Sequence, residues 1–191
     1  QSRAFVAGIA RFDGAARAAG VSVTAGATIA PALSHAVVEA ITGAWLAIDS
    51  IDVAIVPGNR SPRGRLAGDA AFDWIGRPID VFTEGQWQRR RGWSDSRRVT
   101  ADGLGRREAA LANLPDLDQL PRRFQPRLRA ACDTGLQLSW QHSLAGFAGQ
   151  LVGLRLLPSA RWLAMPGRVF AGWFRGLGTD AGGLVIDVAG Q

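Results

Sequence analysis

The sequence predicts a fold of the α/β to α+β kind, a mixed sheet with hairpins flanked by helices, entered through a helix–strand–helix segment. Three observations carry that expectation. Apolar residues recur every three or four positions in the opening segment and again after residue 136, the period of a helix with one packed face. Short alternating runs, bounded by Gly and Pro, fill much of the middle of the chain. The order changes near residue 50, from helix–strand–helix to hairpins mixed with helices.

Residues 2–19 read as one helix, with Phe5, Ile9, Phe12 and Ala16 on one stripe and Gly20 just past its end. Val21 to Ala25 reads as a short strand. Gly26-Ala27-Thr28 then turns into a second helix that carries Pro31 in its first turn, where a missing N–H does no harm. Leu33, Val37 and Ile41 form its apolar face and Gly43 ends it. Ile51 to Val56 is a strand stopped by Pro57-Gly58, and 64–76 reads as a helix closed by Gly76. Ile79 to Thr83 and Gln86 to Arg90 alternate around Glu84-Gly85, a two-residue hairpin turn. Arg97 to Ala101 and Arg107 to Ala112 are weaker strands, Asp116 to Phe124 one or two helical turns, and Leu128 to Thr134 a strand. A helix spans Leu136 to Leu157, a second runs from about Pro166 to Arg175, and Gly183 to Val188 closes the chain as a strand.

Composition narrows the function classes. The 191 residues are 47% hydrophobic and 20% charged, which suits a folded core and argues against disorder. No apolar run approaches the roughly 18 residues of a membrane span, and no basic segment followed by an apolar one opens the chain as a secretory signal would. The first residue, Gln1, starts inside a helical pattern and suggests a trimmed fragment. The one cysteine, Cys132, allows no internal disulfide and suits a reducing cytoplasm. It sits in an alternating run and reads as a buried strand residue. The net charge is +6, carried by 22 basic residues that are all Arg, and Tyr is absent. The sequence pI of about 11.3 invites a polyanion partner, but abundant Ala, Gly and Arg with no Lys look like coding bias in a GC-rich genome. No nucleic acid is therefore expected as the main partner.

Absences matter as much. No G-x-G-x-x-G follows a strand and no G-x-x-x-x-G-K-[ST] occurs. No Cys/His cluster has zinc spacing, so no metal is expected, and no G-x-S-x-G elbow appears. What remains is a set of segments with chemistry in them. Val21 to Ser34 combines a Gly turn with a helix N-terminus, which points free N–H groups at a ligand or simply makes a tight connection. Asp52 to Gly64 ends a β-rich run in Pro-Gly and then places Asn59, Arg60, Ser61 and Arg63 close together. Such a loop can clamp a carboxylate or phosphate, or can be a solvated turn. The groups Arg89-Arg90-Arg91, Arg97-Arg98, Arg106-Arg107 and Arg122-Arg123, near Trp87 and Trp93, suit single-stranded nucleic acid or the protection of a sheet edge. Arg161, Arg168 and Arg175, interleaved with Trp162, Phe170, Trp173 and Phe174, suit a membrane interface or a packed helix face. His142 is the general acid–base candidate on its chemistry alone.

The second half carries five large aromatics, Trp140, Phe147, Trp162, Phe170 and Trp173, beside Gly146, Gly149 and Gly153. An apolar face left over there must meet a partner, and a homodimer through residues 136–174 is the expectation.

In chain order the segments A-A-R-A-A-G-V at 15–21, G-A-T-I-A-P-A-L-S at 26–34, I-D-V-A-I-V-P-G-N-R-S-P-R-G at 51–64, G-R-P-I at 76–79, L-P-D-L-D at 114–118 and L-G-T-D-A-G-G at 177–183 resemble the bacterial saccharopine dehydrogenase-like proteins. The resemblance runs along nearly the whole chain, and P-G-N-R-x-P-R-G is its most specific part. It implies an N-terminal Rossmann domain that binds NAD(P), followed by a mixed α/β domain that holds substrate and forms dimers. Residues 1–34 would then be the last helix–strand–helix of the Rossmann part and 35–191 the substrate and dimerisation domain. Gly26, Ala27 and Thr28 would border the nicotinamide, and Asn59, Arg60 and Arg63 would orient an anionic small-molecule substrate. With the Gly-rich fingerprint missing, NAD(P) is implied for a parent protein and tight binding by this chain is not expected. Nor is activity from this chain without the rest of that protein. The alternative from another class is a non-catalytic basic module on an anionic lipid surface or nucleic acid.

Overall fold

The computed structural model describes residues 3–26, 28–61, 72–174 and 176–191. Helices α1 (Arg3–Gly8), α2 (Asp13–Ala19), α3 (Ile29–Thr42), α4 (Asp116–Phe124), α5 (Ser139–Gly153) and α6 (Ala164–Trp173) surround strands β1 (Ile48–Val56), β2 (Pro78–Thr83), β3 (Gln86–Arg91), β4 (Arg97–Ala101), β5 (Gly105–Leu111), β6 (Arg129–Leu136) and β7 (Gly183–Gly190). The mixed, hairpin-containing sheet with flanking helices is the class the sequence predicts.

The heart of the sheet is a parallel pair, β1 beside β6, in register from Ser50 opposite Arg129 to Ile55 opposite Thr134. β7 lines the other edge of β1, antiparallel, from Val56 opposite Gly183 to Ile48 opposite Gly190. The far edge of β6 is shared: β2 takes its first residues, with Phe82 opposite Ala130, and β5 takes its last, with Leu111 opposite Asp133. β3 and β4 hang from β2 and β5 as hairpin partners. The β2–β3 turn puts Glu84 at φ 54° and Gly85 at φ 73°. Two left-handed residues in a row are what a two-residue hairpin needs to match strand twist.

Alternation along β1 and β6 sends Ile51, Val53, Ala130 and Cys132 to one face, where Val38 of α3 and Leu117 and Leu120 of α4 cover them, all 0% exposed. Trp74, Ile75, Trp93 and Val152 extend this core under α5. Burial pushes the Cys132 thiol up, so it stays protonated and inert. The opposite face holds a smaller apolar cluster. Ala54, Val56, Val99 and Ala109 meet there with Leu104 and Val185. The β4–β5 hairpin curls across it far enough for Arg97 of β4 to reach Asp187 of β7.

Several expectations change at the N-terminus. The single helix over 2–19 is instead α1, a 3-10 turn at Ile9–Phe12, and α2. Its stripe stays wet, with Phe5 and Phe12 exposed, so little packing holds one continuous helix against Gly8 and Gly14. Val21 to Ala25 takes no regular structure and pairs with nothing in the sheet. A strand is held by its ladder to a neighbour, and this segment has none. The boundary expected between 34 and 35 falls inside α3, and Ser34 and Val38 of that helix are both fully buried. Most of the helix expected over 64–76 lies outside the described residues; within them Gly76 does take φ 75° at its end.

Candidate functional site

In a mixed α/β sheet the loops at the carboxyl ends of the parallel strands are the usual place for ligands. Here those ends are Val56 of β1 and Leu136 of β6. Pro57-Gly58-Asn59 leaves β1 and meets Gln137, one residue past β6. The Asn59 N–H donates to Gln137 Oε1 at 2.7 Å, and Asn59 Nδ2 donates to the carbonyls of Phe174 at 2.9 Å and Leu177 at 2.8 Å. The Arg60 N–H donates to the Thr179 carbonyl at 2.9 Å, and Ser61 Oγ to the Asp180 carbonyl at 2.6 Å. Gln137 Oε1 also accepts the Thr179 N–H at 2.9 Å. Gly58 lies so close to this loop that a Cβ on it would stand 2.5 Å from the Thr179 carbonyl oxygen. Residues 57–61 and 177–182 thus form one hydrogen-bonded knot above the strand ends. Asn59 holds the knot together, with both side-chain donors in use, while Arg60 is left exposed upon it.

A second group leaves β6 by the same end. His142 lies in the first turn of α5 and is 4% exposed. Its Nε2 is 3.0 Å from Ser96 Oγ, in the loop before β4. Trp93 fixes the ring's surroundings: the ring centroids are 5.0 Å apart, and Trp93 Nε1 donates to the His142 carbonyl at 3.1 Å. His142 Nδ1 is buried without a partner among the described residues. Burial lowers the imidazole pKa, opposed by Glu108, so the ring is neutral at pH 7 and suited to exchange a proton with Ser96 or a bound molecule.

Two buried carboxylates complete the polar interior. Asp133 of β6, 1% exposed, accepts from Arg97 Nε at 2.5 Å, and Arg97 Nη1 reaches Asp187 Oδ2 at 3.2 Å. Asp133 Oδ1 and Arg97 Nη2 are left over. On the helical face Asp116 at the start of α4 accepts from Ser34 Oγ at 2.7 Å and lies 3.6 Å from His35 Nε2. Burial raises the pKa of both carboxyls, and the bonds from Arg97 and from Ser34 oppose it. Burial likewise lowers the pKa of His35.

The expected site residues fall into separate neighbourhoods. Gly26, buried at φ 79°, packs against Gln119 of α4 and Val6. Thr28 caps α3 with its backbone, and its side chain makes no capping bond. Asn59 and Arg60 belong to the knot instead. Ala27 and Arg63 lie outside the described residues. The sequence singles out His142 on its chemistry alone and gives no sign of its neighbour Ser96, because 46 residues separate them and neither stands in a motif. Nor does it mark Gln137, whose only signal is a polar residue directly after a strand.

Among the described residues eight arginines already have carboxylate partners: Arg3, Arg17, Arg89, Arg97, Arg123, Arg127, Arg129 and Arg161. They are spread over α1, α2, α4, the strands β3, β4 and β6, the loop before β6 and the 3-10 turn Ala160–Leu163, which weakens the case for one polyanion-binding stripe. No helix among the described residues is long and apolar enough to cross a membrane. No protein-family model matches the chain, and no curated protein matches it.

Proposed function

We propose that this chain is the substrate-holding portion of an NAD(P)-dependent oxidoreductase of the saccharopine dehydrogenase-like kind. One observation supports the reading above others. Two segments of the resemblance, 57–61 and 177–183, lie more than a hundred residues apart in sequence and interlock at the carboxyl ends of the parallel strands. In this reading Arg60 binds an anionic group of the substrate with its planar fork. Asn59 keeps the loop in place and makes no substrate contact. The neutral His142–Ser96 pair holds or accepts a proton. Gly26 packs against Gln119 and Val6, and in this reading the cofactor is held by parts of a parent protein other than this chain.

The test is a titration of NADH and NADPH, followed by energy transfer from the protein's tryptophans to the nicotinamide. The parent polypeptide is expected to bind one of them and this chain neither. Failure of the parent to bind either would remove the oxidoreductase reading. Tight binding by this chain would overturn the division of labour.

A further inference from the structure

α5 packs with its small residues inward. His142, Ala148, Gly149 and Val152 are its buried positions. Gly149 lies against Gly76, Gly146 against Trp93 and Gly153 against Arg91, so the close approach that glycine permits is used within the chain. The large residues point the other way. Leu144, Phe147 and Leu154 form an exposed stripe at helical spacing. Past the helix Leu156, Trp162, Met165, Val169 and Trp173 are exposed as well, Trp162 74% and Trp173 78%. Trp140 of α5, itself exposed, joins the two helices, its ring 5.4 Å from Phe170 and 4.9 Å from Phe174. Apolar side chains exposed in this number along two joined helices need a partner.

Charge decides which partner. From Thr134 to Thr179 the sequence contains no Asp or Glu, and its charged residues are Arg155, Arg161, Arg168 and Arg175. Beside Trp162 a hollow of about 290 Å³ is lined by Arg77, Ser159, Arg161 and Trp162. Arg77 has no carboxylate partner among the described residues. Asp73 stands 3.6 Å from Arg161, both side chains exposed, which leaves the rim basic overall. A second copy of the chain would bring this surface against itself, arginine facing arginine, because a two-fold contact pairs a patch with its own image. An anionic bilayer surface supplies both an apolar layer for the Trp, Phe, Met and Leu side chains and phosphates for the arginines.

We propose that the α5–α6 face docks on an anionic phospholipid surface, lying in the interface with a headgroup phosphate held between Arg77 and Arg161. The face rests on the membrane and does not cross it, in keeping with the short lengths of α5 and α6.

Vesicle co-flotation tests this, using phosphatidylcholine vesicles with and without phosphatidylglycerol, and both this chain and the parent polypeptide. Binding is expected only with phosphatidylglycerol present and is expected to fall with salt. Trp162→Ala with Trp173→Ala should weaken it at least about tenfold, since each buries a large apolar surface. Arg77→Gln and Arg161→Gln should each weaken it roughly fivefold. All four positions are exposed, so unchanged thermal melting of the variants checks that they fold. Absence of binding, equal binding to both vesicle types, or binding by this chain but not by the parent polypeptide would each overturn the proposal. So would a dimer that the tryptophan variants dissociate without any effect on vesicle binding.

Discussion

At the scale of single residues the chain uses scarce polar side chains as joints. Asn59 spans two loops by donating to Phe174 and Leu177 while its own N–H is held by Gln137. Asn59→Ala strips two carbonyls of their donor and should lower stability by about 1–3 kcal/mol, measured by urea unfolding. A loss near zero would mean that water replaces the amide without penalty and that the knot is not rigid. His142 sets a pH dependence. Its folded-state pKa lies below the ordinary 6.5 because burial disfavours the imidazolium. The unfolded chain therefore takes up the proton first as pH falls through 6.5, and stability is lost from there down to the lowered value. His35 is shifted in the same direction and adds to the same loss. His142→Gln is expected to flatten, though not abolish, the fall in melting temperature between neutral pH and the lowered pKa. An unchanged slope in calorimetry would show that this ring titrates normally.

At the scale of elements, packing follows close approach. The Gly76 turn, at φ 75°, lies under α5 so tightly that a Cβ there would stand 2.5 Å from the Gly149 carbonyl oxygen and 2.7 Å from Val152 Cβ. Gly76→Ala combines a left-handed backbone with a collision against another helix's main chain. It should cost roughly 2–4 kcal/mol, seen as a lower denaturant midpoint with α5 the first region to exchange its amides. α4 makes the complementary case of plain burial. Leu117 is 0% exposed beneath the sheet, and Leu117→Ala should cost about 2–5 kcal/mol through lost transfer energy and the cavity left behind. A much smaller loss would indicate that α4 collapses into the gap.

At the scale of the whole molecule, one ion pair couples distant strands. Arg97 of β4 joins Asp133 of β6 and Asp187 of β7, and so ties the β4–β5 hairpin to the other strands. Asp133 is 1% exposed; removing its partner leaves a buried, uncompensated carboxylate. Arg97→Met alone should destabilise the protein by about 3–5 kcal/mol, whereas Arg97→Met with Asp133→Leu should recover most of that loss. Additive losses in thermal or urea unfolding would show that the pair contributes no coupling between the two sides of the sheet.

The sequence by itself determined the elements whose signal is local. The β2–β3 hairpin is written in Glu84-Gly85 between two alternating runs, α4 in Asp116 to Phe124, and the stop of β1 in Pro57-Gly58, because turn geometry and side-chain period act over a few residues. Cys132 as a buried strand residue follows from the same alternation. His142 was visible as a residue but not as a pair with Ser96. The stretch after Gly20 has a strand's composition and no ladder, since pairing depends on which segments the fold brings side by side, and the strand beside β1 is β7 from the far end of the chain. The tertiary structure alone decided that Asn59 is a tie between loops, that the glycines of α5 pack against Gly76, Trp93 and Arg91 of the same chain, and that Leu144, Phe147 and Leu154 are exposed. Each of these depends on contacts between segments far apart in the chain, where no periodicity or spacing in the sequence carries the information.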